Sequence, residues 1–303
     1  MFCMIQIVLN KFPAKKGLET LIRKYKKLLL LFCILLNLDV GAQIVRPALR
    51  EIVSQPPSGQ HFELYLLIGQ SNMAGRGIVE PVDTLPDQHV LCLNKQMEWE
   101  LAKDPLHFDK PAAGVGPGFT FGKDMASIDT SNIIGLIPSA VGGTPLAAWR
   151  SGAHYKPTKT FPYDDAIKRA REAMKQGVLK GVIWNQGESD SNFQNSAVYG
   201  IRLKKLIENL RLDLGIPDLA FVAGQLPDYQ IYKKDKAGND SVNHAAGLIN
   251  KAIADLQIKN YTFIDAKDVK DIGDHTHLDA PSARLMGHRY AKAMQRVLLI
   301  KQN

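Results

Sequence analysis

Short apolar runs alternate with amphipathic segments along most of this chain. Six runs of large apolar residues predict buried strands, at residues 62–68, 90–93, 133–138, 181–185, 219–223 and 262–264. Four segments with apolar residues near helical spacing predict helices, at residues 165–176, 197–214, 243–256 and 282–299. This alternation predicts an α/β fold with a mainly parallel sheet, covered on both faces by helices. Ligands of such sheets bind at the carboxyl ends of the strands, so the segments after the strands are where chemistry is expected.

Residues 102–124 do not follow this alternation. Within them, the sequence Gly-Val-Gly-Pro-Gly at 114–118 predicts a loop, either at the rim of a pocket or as plain surface. The loop lacks the Lys-Ser/Thr ending of a phosphate-binding loop, which excludes that class of site.

The first 42 residues resemble a secretory leader rather than part of the fold. Three lysines within 24–27 precede an apolar run at 28–38, and small residues at 40–42 offer a cleavage site. The run is short for a transmembrane helix, so we expect cleavage and a secreted or periplasmic location. An uncleaved anchor is the alternative. Residues 43–303 are then expected to form a single domain.

The leader also accounts for most of the net charge. The 303 residues include 38 Lys and Arg against 30 Asp and Glu, a formal charge of +8. Without residues 1–42 the balance is 31 to 28, or +3, and no dense basic tract remains, so nucleic-acid binding is not expected. Of three cysteines only Cys92 lies outside the leader, in an apolar run that favours a buried thiol over a catalytic one.

The strand at 62–68 ends in a turn with one serine at its apex. Gly69 allows the backbone to turn sharply, and the small residues after Ser71 allow a helix to begin at once. A serine at this place lies near backbone N–H groups that can stabilise an oxyanion. Ser71 is therefore the candidate nucleophile of a serine hydrolase.

A serine nucleophile needs a base, usually a histidine held by a carboxylate. Asp274, His275 and His277 follow the last predicted strand, at the same edge of the sheet. Asp274 and His277, three residues apart, can point to one site with Ser71 on the second ring nitrogen. By spacing alone, His275 is an alternative base, or a metal ligand together with His277. The sequence shows no third ligand cluster, so neither a metal nor another cofactor is expected.

Two more strand ends supply hydrogen-bond donors for an oxyanion. The strand at 133–138 runs into Gly142-Gly143-Thr144, where a glycine can present a bare backbone N–H. The strand at 181–185 runs into Gln186, whose side-chain amide can donate a second hydrogen bond. Each segment alone fits an ordinary glycine-rich turn, but four of them at four strand ends favour a catalytic site.

These segments resemble the ordered blocks of SGNH-type hydrolases, in the branch that contains sialate O-acetylesterases and the acetylxylan esterases of carbohydrate esterase family 6. The matching blocks are Gly-Gln-Ser-Asn-Met at 69–73, Gly-Gly-Thr at 142–144, Trp-Asn-Gln-Gly-Glu-Ser-Asp at 184–190 and Asp-His-Thr-His-Leu at 274–278. The resemblance spans residues 62–300, nearly all of the chain beyond the leader. It implies a flavodoxin-like three-layer α/β/α fold and metal-free ester hydrolysis.

The resemblance also implies a role for each residue of the first and last blocks. Ser71 would be the nucleophile, His277 the general base and then acid, and Asp274 the residue that orients His277. The family pattern Asp-x-x-His-Leu favours His277 over His275, because Leu278 follows it.

For the oxyanion hole, the resemblance implies the N–H groups of Ser71 and Gly143 together with the side chain of Gln186. Gly142 is a close rival to Gly143. Gln186 takes the role of the asparagine usual in the wider family, as in this branch. Asn185 stands where many relatives carry histidine, a change expected to affect substrate contacts rather than acid–base chemistry.

Five side chains near these blocks are candidate substrate contacts: Gln70, Asn72, Arg76, Trp149 and Glu188. Glu188 is also open to a catalytic role, but we interpret it as a structural anion paired with Arg76 or Arg150, because buried carboxylates are normally paired. Trp149 fits either a sugar-stacking surface or the core, and the sequence does not decide between them.

The sequence thus predicts a secreted or periplasmic serine esterase that removes O-acetyl groups from a carbohydrate through an acetyl-enzyme. An acetylated carbohydrate is the expected partner, without a stable membrane span after cleavage. One alternative is an esterase or thioesterase of other acyl specificity, which would prefer acyl chains beyond butyrate. The other is a non-catalytic carbohydrate-binding protein, which would bind sugar without releasing acetate.

Overall fold

A computed structural model describes residues 50–234 and 238–300. The predicted leader, residues 1–42, lies outside the described residues, so the division of the chain at residue 42 stays a prediction. Among the described residues, no helix combines the length and the apolar character needed to cross a bilayer.

The described part of the chain contains nine strands and eight α-helices. The strands are β1 Gly59–Gly69, β2 Val90–Leu93, β3 Trp99–Leu101, β4 Ile133–Pro138, β5 Gly177–Asn185, β6 Ala220–Gly224, β7 Tyr232–Lys234, β8 Asp240–Val242 and β9 Tyr261–Ile264. The helices are α1 Ser71–Ala74, α2 Pro117–Ala126, α3 Pro162–Ala173, α4 Phe193–Ser196, α5 Tyr199–Leu214, α6 Asp228–Ile231, α7 His244–Ala254 and α8 Ala280–Ile300.

Seven of the strands form one sheet in the order β3-β2-β4-β1-β5-β6-β9. Neighbouring strands pair in parallel, except that β3 pairs antiparallel with β2 at one edge. The mainly parallel sheet predicted from the sequence is confirmed. Strands β7 and β8 form a separate antiparallel pair.

The central strand β1 is buried on both faces. Leu64 and Leu66 pack in one core with residues of α3, α5 and α7. Tyr65 and Leu67 point to the opposite face and pack with residues of α2 and α8. Burial on both faces explains why β1 is a nearly continuous apolar run instead of an alternating one. The three-layer α/β/α fold predicted from the sequence is therefore confirmed.

All ten predicted strands and helices form, with boundaries shifted by a few residues. The largest difference is α2, because the predicted loop at 114–118 contains its first residues. Pro117 occupies the first helical position, where proline costs no hydrogen bond. A Cβ on Gly118 would lie 2.3 Å from the Leu67 side chain, so this glycine lets the helix lie close against the sheet. Residues 114–116 thus form the predicted loop, whereas Gly118 belongs to the helix and serves its packing.

The thiol of Cys92 lies inside this core. Cys92 is on β2, free and buried. Burial raises the pKa of its thiol well above the ordinary value, which disfavours the reactive thiolate. The interpretation of Cys92 as a buried thiol is confirmed.

The contact between α2 and α8 depends on Gly287. A Cβ there would lie 2.6 Å from the Pro117 carbonyl oxygen and 2.7 Å from the Thr120 Cβ. We expect Gly287→Ala to lower the free energy of unfolding by about 1–3 kcal/mol, measured in urea. Gly247, within α7, is the control, since its added Cβ would meet nothing within 4 Å. Gly247→Ala should stabilise by about 0.5–1 kcal/mol. A Gly287→Ala variant as stable as the wild type would contradict this packing.

Candidate active site

The turn after β1 places Ser71 at the carboxyl edge of the sheet. Gly69 has a φ of +132°, and a Cβ there would lie 2.1 Å from the Asn185 backbone oxygen, so only glycine fits. The Gln70 N–H donates to the same oxygen at 2.9 Å, which ties the turn to the end of β5. Helix α1 begins at Ser71, where the first N–H groups of a helix have no partner within it. Within the described residues, the Ser71 N–H donates no hydrogen bond.

Ser71, His277 and Asp274 form a continuous series of hydrogen-bonding contacts. The Ser71 Oγ lies 3.0 Å from the His277 Nε2, and the His277 Nδ1 lies 2.6 Å from the Asp274 Oδ2. The second Asp274 oxygen accepts the backbone N–H groups of Thr276 at 2.9 Å and His277 at 2.8 Å. The structure thus brings together the three residues that the sequence singles out as a candidate triad.

The charge of Asp274 suits this arrangement. Burial raises the pKa of the Asp274 carboxyl, but hydrogen bonds from the His277 backbone and ring and from Thr276 outweigh it, so the pKa lies below its ordinary value. An ionised Asp274 favours the His277 tautomer with its proton on Nδ1, which leaves Nε2 to accept the Ser71 hydroxyl proton. The series can therefore move a proton from Ser71 to His277 as the serine attacks an electrophile.

His275 lies apart from the serine. Its side chain is 80% exposed, and its Nδ1 is 3.8 Å from the Asp271 carboxylate. Spacing left His275 and His277 as rival bases, but the contact with the Ser71 Oγ belongs to His277.

Asn72 ties the serine turn to the loop at 274–278. Its Nδ2 donates to the Thr276 carbonyl at 3.0 Å, and its Oδ1 accepts the Leu278 N–H at 2.9 Å. Gln230, on α6, donates to two carbonyls of the same loop at 2.8 and 3.3 Å. Asn72 is only 2% exposed, so it braces the site and does not offer the substrate contact that we predicted. Gln230 belongs to no sequence motif, and sequence analysis missed it.

Glu188 contacts the same amide nitrogen of Asn72 that binds the Thr276 carbonyl. Its Oε1 accepts a hydrogen bond from the Asn72 Nδ2, and its buried Oε2 has no partner among the described residues. Burial raises the pKa of the Glu188 carboxyl, and the bond from Asn72 offsets part of that rise. The predicted pairing with Arg76 or Arg150 is wrong, because Arg76 pairs with Asp109 and Arg150 is exposed.

Asp109 joins two loops of the site. Its Oδ2 accepts the Gly142 N–H and the Arg76 Nη2, each at 2.8 Å. Arg76 also donates to the Gly75 carbonyl at 2.6 Å, and its side chain is 8% exposed. Arg76 is therefore a buried partner of Asp109 and not the predicted substrate contact. Asp109 lies in the segment without strand or helix signals, so its role left no pattern in the sequence.

Asp109 also decides between the two rival glycines. Because it holds the Gly142 N–H, Gly143 is the one that keeps its donor free. Gly143 has a φ of +85°, and its N–H donates no hydrogen bond within residues 50–234 and 238–300. Its carbonyl accepts the Tyr155 hydroxyl at 2.8 Å and the Ser189 hydroxyl at 3.0 Å, which fixes this turn.

The Gln186 side chain is fully buried and its amide is already bonded. Its Nε2 lies 2.6 Å from the Asp190 carboxylate, 3.1 Å from the Thr144 carbonyl and 3.3 Å from the Gln70 Oε1. Its Oε1 accepts the Tyr199 hydroxyl at 3.0 Å. An amide has two N–H groups, so three acceptors leave none for an oxyanion. Contrary to the prediction, Gln186 joins the strand-end loops and presents no free donor.

Trp149 and Gln70 are also structural. Trp149 is 2% exposed, donates its Nε1 to the Thr144 hydroxyl at 3.0 Å and packs edge-on against Trp184. Of the two alternatives left open for Trp149, the structure supports the core. Gln70 is 3% exposed, and its Oε1 lies 3.3 Å from the Ser189 N–H. The residues predicted to contact substrate thus mainly hold the loops around Ser71 in place.

Residues 61–296 match the family model described as "Carbohydrate esterase, sialic acid-specific acetylesterase". A probable carbohydrate esterase of Arabidopsis thaliana is 33% identical over 267 residues, which cover 80% of this chain and 93% of the plant protein. The X-ray structure of that plant protein gives a TM-score of 0.67 at 29% identity, over 80% of this chain and 99% of the other.

Two further proteins match less closely. Sialate O-acetylesterase of Homo sapiens is 37% identical over 92 residues, 26% of this chain and 17% of the human protein. The crystal structure of a carbohydrate acetylesterase from Xanthomonas citri gives a TM-score of 0.58 at 20% identity, over 78% of this chain and 56% of the other. At that identity the likeness shows a shared fold.

Asp109→Ala would remove the buried carboxylate that accepts the Gly142 N–H and neutralises the Arg76 guanidinium. We expect the free energy of unfolding to fall by about 3–5 kcal/mol in a urea titration. Asp109→Asn should lose less, because its amide oxygen can still accept one of these donors. Asp255→Ala is the control, since it removes only an exposed pair with Lys251 and should cost less than about 1 kcal/mol. Equal losses in the two alanine variants would contradict a bracing role for Asp109.

Proposed function

This chain belongs to the carbohydrate esterase family of sialic acid-specific acetylesterases, and we propose that it removes O-acetyl groups from carbohydrates by a serine mechanism. The observation that carries the proposal is the series Ser71–His277–Asp274, with contacts of 3.0 and 2.6 Å. A non-catalytic binding protein would have no need of a histidine held between a carboxylate and a serine. The family supports the esterase chemistry, and these contacts support the serine mechanism.

In the first half of the proposed reaction, the Ser71 Oγ attacks the acetyl carbonyl carbon while the His277 Nε2 takes the serine proton. Asp274 holds the Nδ1 proton and stabilises the imidazolium that forms. The negative oxygen of the tetrahedral intermediate accepts the free N–H groups of Ser71 and Gly143. When the intermediate collapses, the C–O bond to the sugar breaks. His277 then gives its proton to the departing sugar oxygen, leaving an acetyl-enzyme.

In the second half, water replaces the sugar. His277 removes a proton from the water as its oxygen attacks the acetyl carbonyl, and the same backbone N–H groups receive the oxyanion. Collapse of this intermediate breaks the bond to the Ser71 Oγ, which regains its proton from His277. Acetate leaves, and the enzyme returns to its starting state with no cofactor consumed.

The sugar in this proposal is of the sialate or the xylan type. The family description and the local match to human sialate O-acetylesterase support the sialate type. The resemblance of the four sequence blocks to acetylxylan esterases supports the xylan type. Acetate released from O-acetylated sialosides, compared with acetylated xylo-oligosaccharides, separates the two.

Ser71→Ala removes the proposed nucleophile but leaves the 274–278 loop contacts of Asn72 in place. We expect kcat for acetate release from nitrophenyl acetate and from the acetylated sugars to fall about 10⁴-fold or more. The circular dichroism spectrum and urea midpoint should stay near those of the wild type. Ser131→Ala, in an exposed turn before β4, is the control and should keep full activity. Undiminished turnover by Ser71→Ala would overturn the serine mechanism.

Secretion of the protein is a second part of this proposal. The apolar run at 28–38 and the small residues at 40–42 support export and cleavage. We expect N-terminal sequencing of the exported protein to begin just after these small residues. Recovery of the full-length chain from the membrane fraction would instead favour the uncleaved anchor.

A further inference from the structure

A pocket of about 330 Å³ lies beside the loop that carries Gly143. Residues 138–141, which lead from β4 into that loop, form one wall of it. The Val141 N–H donates to the Gly69 carbonyl at 3.0 Å, so this wall adjoins the turn that carries Ser71. The pocket is within the usual size range of small-molecule sites, about 300–1,000 Å³. Neither the triad nor any residue predicted to contact substrate lines it.

An aromatic ring lies on the wall of this pocket, next to the Arg169 guanidinium. Phe108 lines the pocket and is 39% exposed. The guanidinium of Arg169 lies 4.8 Å from the centre of its ring. Arg169 is itself fixed, because it donates to the carbonyls of Pro138 at 2.9 Å and Leu93 at 2.5 Å. A partly exposed ring supported in this way offers a flat surface to the apolar face of a sugar.

The free charge of the pocket is positive. Lys95 and Lys168 line it, both are exposed, and neither forms an ion pair within the described residues. Of the two carboxylates in its wall, Asp109 is bound to Arg76 and has a side chain only 1% exposed. Asp165 alone is accessible, and it accepts the Phe161 N–H at 3.1 Å. Among the described residues, the pocket therefore has two ammonium groups without an ion pair and only one accessible carboxylate.

We propose that this pocket is a subsite for an anionic sugar residue, linked to the acetylated residue that reacts at Ser71. The proposal rests on the proposed function, because it extends the same substrate to the neighbouring sugar. Phe108 supports the apolar face of the ring, and Lys95 and Lys168 bind its carboxylate or sulfate group. A sugar chain would then be held on both sides of the Val141–Gly143 loop, with its acetylated residue at Ser71 and its acidic residue in the pocket.

Binding of single sugars tests the pocket without any chemistry at Ser71. The probes are methyl glucoside, methyl glucuronide and glucose 6-sulfate, measured by calorimetry or NMR titration against the full-length protein. We expect at least one anionic sugar to bind about tenfold more tightly than the neutral one, and the two anionic probes distinguish carboxylate from sulfate. The double substitution Lys95→Gln/Lys168→Gln should remove this preference, and Phe108→Ala should weaken all binding. Lys205→Gln, an exposed lysine outside the pocket, is the matched control and should keep the preference.

A kinetic comparison tests the link to Ser71. Acetylated xylo-oligosaccharides with and without a glucuronic acid branch differ only in the acidic residue. We expect a lower KM for the acidic substrate in the wild type, with kcat little changed, and loss of that difference in Lys95→Gln/Lys168→Gln. Equal binding of neutral and anionic sugars by the wild type, or a preference unchanged in the double variant, would overturn the subsite even if acetate release is normal. Selective binding without release of acetate from any sugar would overturn the proposed function instead.

Discussion

The close approach of two strand ends at Gly69 is the constraint on which the candidate site depends. The backbone of Gly69 lies so near the Asn185 carbonyl that no side chain fits between them. This contact brings the end of β1 against the end of β5 and sets the direction in which α1 leaves the sheet. Because the turn starts from this fixed contact, the Ser71 hydroxyl lies within hydrogen-bonding distance of His277. A side chain at Gly69 would push the ends of β1 and β5 apart, although it would contact none of the three triad residues.

Around that turn, most polar side chains are bonded to one another and few are free to react. Asn72 joins α1 to the loop at 274–278, Asp109 joins the Gly142 backbone to Arg76, and Gln186 joins the ends of β1, β4 and β5. Because each of these groups is buried, leaving any of them unpaired would cost free energy. Their mutual bonds therefore fix the loops and at the same time take away donors that would otherwise face a ligand. Among the described residues, the donors left over at the site are the backbone N–H groups of Ser71 and Gly143, and the Tyr155 and Ser189 hydroxyls hold the Gly143 turn in place.

The sequence revealed six of the nine described strands, the four longest of the eight described α-helices and the three residues that converge, because each of these leaves a local pattern. Ser71 follows a buried apolar run, and Asp274 and His277 are neighbours in the chain. It failed where a role depends on distant contacts. Asp109 and Gln230 act through backbone atoms of remote loops, and no spacing rule marks such partners. Gln186 was misjudged for the same reason, since only the fold shows that Asp190 and Thr144 already occupy its amide.

The short spacing of Asp274 and His277 has a mechanical consequence. Their side chains touch, and the same carboxylate holds the backbone of its own loop, so the pair is a self-contained unit of a few residues. The serine, by contrast, comes from a segment about two hundred residues earlier. A displacement of the loop would move His277 and Asp274 together, so within the triad it would change only the distance from His277 to the Ser71 hydroxyl. Within the triad, the contact between Ser71 and His277 is therefore the one that joins distant segments, and the hydrogen bonds of Asn72 connect the same two segments.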